Sequence, residues 1–225
     1  MVSIYEQALG KNFERLHPRI QERFGFASAD HIASVGTGTM EWIWYNRWVT
    51  PLLCVGASRH IMFPQGGSDV PFTIENYAYI DQFGRETVSW IRRFDFGPLT
   101  RHFDATMIYS EQRRGIVDYL GNKQHLAVDL RVHAASNGGI QFTSGEQRFY
   151  EGMLGFRFPK LFTATANVNE WFDEELQKFR IAVEVRNPVI GTIFNYRGSF
   201  EVSMLRTEPN GVPNHIKPLR EEMRE

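Results

Sequence analysis

From residue 72 to residue 205 the chain is almost entirely a succession of short segments with a two-residue hydrophobic repeat, separated by turn residues. Such a repeat puts alternate side chains on opposite faces of an extended strand and is incompatible with a helix bundle. The segments read as strands over 72–80, 86–96, 101–109, 115–120, 124–133, from 140 to 143 or somewhat beyond, 163–171, 178–186 and 192–205. Their connectors include Asp81-Gln82-Phe83-Gly84-Arg85, Gly121-Asn122-Lys123, Asn137-Gly138-Gly139 and Asn187-Pro188-Val189-Ile190-Gly191, all rich in residues that suit tight turns. Eight to ten mostly sequential strands predict an antiparallel meander, and a meander of that length avoids exposed edges by closing into a barrel. The expected architecture is therefore mainly β, a lipocalin or fatty-acid-binding-like barrel. The alternative is a curved helix-grip sheet of the lipid-transfer type, which normally requires a long C-terminal helix.

The first 70 residues are read differently. Residues 3–24 predict helix, with Asn12 as an N-cap, a bend or break at Pro18 and a stop at Gly25. Residues 31–45 predict a first strand in which Met40, Trp42 and Trp44 alternate with Thr39 and Glu41, a pattern broken by Ile43. Residues 47–62 then predict an inserted helix with Trp48, Leu52, Val55 and Arg59 on one face. Cys54, in that apolar context, is expected to be a small core residue. Residues 148–162 are irregular and are expected to cross an end of the sheet. One domain is expected over 1–206, followed by a mobile tail, 207–225, rich in proline and charge, with a final helical turn.

Aromatic residues make up 14% of the 225 residues, 18 of them Phe, an excess that suits a half-buried sheet and the lining of a cavity. The formal charge of −1, from 25 basic and 26 acidic residues, gives no field to attract nucleic acid. No apolar run is long enough to span a bilayer. A single cysteine and an opening, MVSIYEQALGKNF, without the marks of a signal peptide predict a cytoplasmic setting.

The sharpest chemical clue lies in ETVSWIRRFDF, residues 86–96, where Arg92 falls on the same face as Val88, Trp90 and Phe94. A guanidinium among aromatic rings needs a carboxylate, ordered water or an anionic ligand. Asp118, which shares parity with Ile116 and Leu120, is the candidate for a structural ion pair. The functional reading makes Arg92 the anchor for the acidic head of an amphipathic ligand, with Trp90 in the wall and Tyr196, and more weakly Tyr119, adding a hydroxyl.

Other signals point to structure. Val35-Gly36-Thr37-Gly38-Thr39-Met40-Glu41 has two glycines of a dinucleotide fingerprint, but Glu41 stands where the third belongs and a strand-like Trp-Ile-Trp-Tyr follows, so a bent or bulged strand is expected. His125, Asp129, Arg131 and His133 form the polar side of an alternating strand, expected to face solvent; were the barrel interior polar, they would be the site and Arg92 would face outward. Asp173, Glu174 and Glu175 read as a solvated turn. No nucleophile motif or metal-ligand spacing is present, and no catalytic residue, metal site or cofactor is expected.

A set of spaced residues resembles the uncharacterised bacterial family called domain of unknown function 4166: Phe63-Pro64, Gly67 and Val70-Pro71-Phe72; Trp90 with Arg92, Arg93 and Phe94; Gly121 after Tyr119-Leu120; Gly155 with Pro159 and Leu161; and Pro188-x-x-Gly191 with Tyr196-Arg197-Gly198. The resemblance implies a domain that stands alone or follows a saccharopine-dehydrogenase-like module; it transfers no catalytic residue and no substrate. The expected function is a non-catalytic module that binds a hydrophobic or amphipathic small molecule in a barrel cavity, an anionic head group being one option. The alternatives are an enzyme or accessory domain acting with a separate oxidoreductase, and an oligomeric scaffold.

Overall fold

Ten antiparallel strands close on themselves. The computed structural model describes residues 2–158, 163–208 and 211–225. Strands β1 (Ile32–Tyr45), β2 (Val70–Ile80), β3 (Glu86–Asp95), β4 (Thr100–Ser110), β5 (Gly115–Leu120), β6 (Leu126–Ala134) and β7 (Ile140–Glu151) pair in sequence. A short β8 (Leu154–Arg157) folds back on β7 as a hairpin, and β9 (Thr165–Asp173) returns to pair with the start of β7. Then β10 (Lys178–Asn187) and β11 (Gly191–Arg206) follow, and β11 pairs with β1 to complete the ring. This is the expected barrel, and no long C-terminal helix of the helix-grip kind occurs among the described residues. Of the irregular segment expected at 148–162, the first part belongs to β7 and β8; residues 159–162 lie outside the described residues.

The irregularity at Ile43 has a local cause. The register of β1 against β11 shifts between Met40 and Trp42, so Glu41 is an extra residue opposite none. A bulge of this kind puts two consecutive side chains on one face and reverses the phase of the strand beyond it. Met40 and Ile43 therefore both face the core, while Trp42 and Trp44 both face out. Gly198 sits opposite the bulge, where a Cβ would meet the carbonyl oxygen of Thr39 at 2.2 Å. The glycine-rich stretch before it is plain strand, with Gly36 and Gly38 paired to β2 and β11.

Each end of the barrel is filled. At the end where β1 begins, α1 (Ile4–Leu9), closed by a Ser3–Glu6 capping box, and α2 (Pro18–Phe24), whose proline suits a first helical turn, project into the ring. Tyr5 and Phe24 meet edge-on at 5.0 Å, and Phe142 lies 5.9 Å from Tyr5. Arg23 of α2 is buried with them, paired to the buried Glu170 of β9 and donating to the Ser34 hydroxyl. Towards the other end, Phe63, Phe72, Phe94 and Phe194 form a cluster with ring separations of 5.0 to 5.1 Å across its Phe63–Phe94, Phe72–Phe94 and Phe63–Phe194 contacts.

The inserted helix is shorter than expected, and the face of Trp48, Leu52 and Val55 is its outer one. A 3-10 turn, Arg47–Val49, leads into α3 (Thr50–Ser58), which buries Val49 and Leu53 and leaves Trp48 91%, Leu52 62% and Val55 49% exposed. Cys54 is exposed rather than a core residue. No helix among the described residues is long and apolar enough to cross a membrane.

The tail is not loose. Residues 211–225 cross the outside of the barrel, where Ile216 is buried against Ala33, Tyr77 and Ile91. Leu219 N–H donates to the carbonyl of Asn122 at 2.7 Å, and Arg85 donates to the carbonyl of Glu222 at 2.8 Å. Proline and charge suggested mobility, but the charged groups find fixed partners on the barrel wall.

Removing one member of a buried ion pair leaves an uncompensated charge, at a cost of about 3–5 kcal/mol, whereas replacing both by apolar residues costs much less. Glu170→Gln is therefore expected to lower stability in urea unfolding by that amount, and Arg23→Leu with Glu170→Leu to be more stable than Glu170→Gln alone.

Candidate functional site

Strand β3 sends Val88, Trp90, Arg92 and Phe94 into the barrel. Arg92 is 3% exposed. Its Nε donates to the carbonyl oxygen of Phe103 at 2.9 Å and its Nη1 to the hydroxyl of Tyr196 at 3.2 Å. The guanidinium lies 3.9 Å from the centre of the Phe103 ring and 5.6 Å from that of Trp90, a cation held between π faces. Neither hydrogen-bond partner carries a compensating negative charge.

Asp118 of β5 also lines the interior, yet its Oδ1 is buried with no hydrogen-bond partner among the described residues and it forms no ion pair with Arg92. Burial pushes the Asp118 carboxyl up to about 7, outweighing the pull of the nearby Arg92 charge. Between the two groups lies a cavity of about 100 Å³, lined by Trp90, Arg92, Phe103 and Asp118, with Met62 and Leu126 among the apolar residues on its wall. That is the volume of about three waters. The Arg92 guanidinium offers only donors, and Asp118 near neutrality is either an acceptor or, when protonated, a donor.

Four of the five residues expected at a site are thus together. Trp90 is in the wall, its indole N–H donating to the Tyr5 hydroxyl at 2.8 Å, and Tyr196 touches Arg92. Burial raises the phenol of Tyr196, against the lowering effect of the Arg92 charge. Tyr119 is elsewhere: one residue on from Asp118, it faces the outside of the barrel, donating to the carbonyl of Arg224 at 3.2 Å beneath the C-terminal segment. Asp129, Arg131 and His133 lie on the outer side, with Asp129 bound to Arg113 and Arg148; the buried His125, just before β6, bonds Glu151 at 2.7 Å.

A second polar cluster escaped sequence reading. His60, in a left-handed conformation after α3, bonds Asp104 of β4 through Nδ1 at 2.6 Å, and its ring stacks on His102 at 4.5 Å with planes 19° apart. Burial pushes the Asp104 carboxyl up, but the imidazoles of His102, 3.8 Å away, and of His60, hydrogen-bonded to it, bring it below the usual range. The ligand atoms of the three residues lie within 4.8 Å of one another, close enough to hold a metal ion. Nearly parallel rings cannot both be coplanar with one ion set between them, so in this arrangement they form a stacked pair on a shared carboxylate. Only the His102-x-Asp104 spacing, two residues on one strand face, was visible in the sequence.

A family model described as Domain of unknown function (DUF4166) matches residues 16–200. The uncharacterized protein YndH of Bacillus subtilis (strain 168) is 37% identical over 202 residues, which are 89% of this chain and 97% of that protein. No solved structure matches the chain. The glycines and aromatics on which the resemblance rested are largely structural, as Phe63 and Phe72 in the aromatic cluster and Gly198 opposite the bulge illustrate.

Because the folded Asp118 carboxyl sits near 7 while an unfolded one sits near 3.9, the folded state holds more protons between about pH 4 and pH 7. This residue's contribution to stability accordingly falls as pH rises through that window and stays low above it. Asp118→Asn, which cannot ionise, is expected to melt at least about 3 °C above the parent at pH 8. At pH 4 that advantage disappears, as differential scanning calorimetry at the two pH values would register.

Proposed function

The chain belongs to the DUF4166 family, and from its barrel we propose a binding module for a small amphipathic molecule with a carboxylate head. One observation carries this reading: a buried guanidinium and an unpartnered buried carboxyl oxygen line the same cavity without pairing with each other. A ligand carboxylate would accept from Arg92 on one side and from protonated Asp118 on the other, satisfying both groups at once. Trp90, Phe103 and Met107 provide the apolar wall for the first carbons.

The volume limits the ligand. About 100 Å³ holds a head group and a few carbons, well below the 300–1,000 Å³ of a drug-sized site, so a longer tail has to leave past Met62, Leu126 and Ala164. The reading also fixes a proton count. Above the Asp118 value, binding the anion takes up a proton, and affinity is lost by about tenfold per pH unit. A cytoplasmic setting belongs to the same proposal.

Calorimetric titration with butanoate, hexanoate and decanoate at pH 6 and pH 8 tests it. The expected result is binding that weakens about tenfold at pH 8, a pH dependence abolished by Asp118→Asn, and no binding to Arg92→Leu. Tyr196→Phe, which removes one hydroxyl and leaves the packing, is expected to weaken binding by a few fold. If none of the three acids binds, or if Arg92→Leu and Tyr196→Phe both bind like the parent, the proposal fails.

A further inference from the structure

The outside of the barrel carries a second candidate site, independent of the cavity within. Pairing registers place side chains in two parallel rows across five adjacent strands, β7, β9, β10, β11 and β1. The first row runs Gln141, Asn169, Ala182, Arg197, Trp42. The second runs Thr143, Asn167, Glu184, Asn195, Trp44. All face outward, and the first row and the four polar members of the second line an open groove of about 830 Å³. Its volume falls within the range of small-molecule sites.

Three features set this groove apart from an ordinary solvated face. Outer faces of strands usually carry charges that pair across the sheet, as Arg180 and Glu41 do nearby. Here the side chains of Gln141, Asn195 and Arg197 make no hydrogen bond or ion pair among the described residues, and Oδ1 of Asn169 is buried with no partner. Ala182, at the centre of the first row, leaves the floor low between its longer neighbours. The two rows end on indoles that are 47% and 37% exposed, both turned outward by the bulge at Glu41.

We propose that this groove binds a neutral oligosaccharide laid across the strands, with its terminal ring on Trp42. Carboxamides and a guanidinium offer adjacent donors and acceptors in one plane, which suits neighbouring hydroxyls on a sugar ring, and an indole face suits the ring's apolar C–H side. Neighbouring strands stand about 4.8 Å apart, so polar groups at that spacing flank Ala182 on both sides and can meet hydroxyls of successive sugar units. Arg197 and Glu184 offset each other, which gives no field for a charged chain or a nucleic acid. An extended peptide would need a free sheet edge for its backbone, and these five strands are hydrogen-bonded to neighbours on both sides.

The test is titration of the full chain with maltohexaose, cellohexaose and chitohexaose, followed by tryptophan fluorescence and calorimetry. At least one is expected to saturate the protein below about 5 mM with a change in indole emission. Trp42→Ala and Asn169→Ala, checked for unchanged circular dichroism, are each expected to weaken that binding at least about tenfold, while Trp48→Ala leaves it unchanged. Failure of all three sugars to bind overturns the proposal. So does binding that survives both groove substitutions, or that Trp48→Ala weakens as much as they do.

Discussion

A ten-stranded ring is wider than its own inward side chains can fill, since eight strands already leave just enough room for close-packed side chains. Everything inside this barrel answers that constraint. One end is filled by α1 and α2, the other by a cluster of Phe rings, and the guanidinium of Arg23 fastens the helical plug to Glu170 on the wall. The high Phe content is therefore a volume requirement before it is a functional signal. The space that remains, beside Arg92, is what the two plugs leave unfilled.

Arg23 and Arg92, both buried inside the barrel, show why one is structural and the other a candidate for function. Arg23 meets a carboxylate on a neighbouring strand, so its charge is compensated within the fold. Arg92 meets only a carbonyl and a phenol, and the carboxyl group that shares its cavity stands apart from it, at a pH midpoint near neutrality. Burying a cation without an anion in contact is a cost that packing alone does not explain. A fold optimised only for stability would close the gap between Arg92 and Asp118 or replace both with apolar residues.

The barrel and the interior placement of Arg92 and Asp118 were legible because a two-residue repeat assigns faces with little ambiguity. Where the repeat failed, so did the reading. Ile43 broke the alternation because of a bulge, which a sequence records only as a fault in phase. Helical periodicity identified the face of Trp48, Leu52 and Val55 but carries no sign: it states that a helix is two-sided, not which side meets the protein. Tyr119 had the wrong parity for the cavity, and its neighbour Asp118 already showed that. The stack of His60 on His102 brings together residues more than 40 positions apart and left only the spacing within one strand to be seen. The tail was misread because proline and charge describe composition, while the Arg85 guanidinium that holds its carbonyls lies more than 130 residues away.

The seam between β1 and β11 joins residue 32 to residue 206. That closure makes the topology one of high contact order, and it sets a sequence of events during synthesis. Until residue 206 clears the ribosome, β1 has a vacant edge and the aromatic interior stays open to water. The nascent chain is then a curled sheet with exposed Phe rings, the state in which a chaperone would find it and in which aggregation competes with folding.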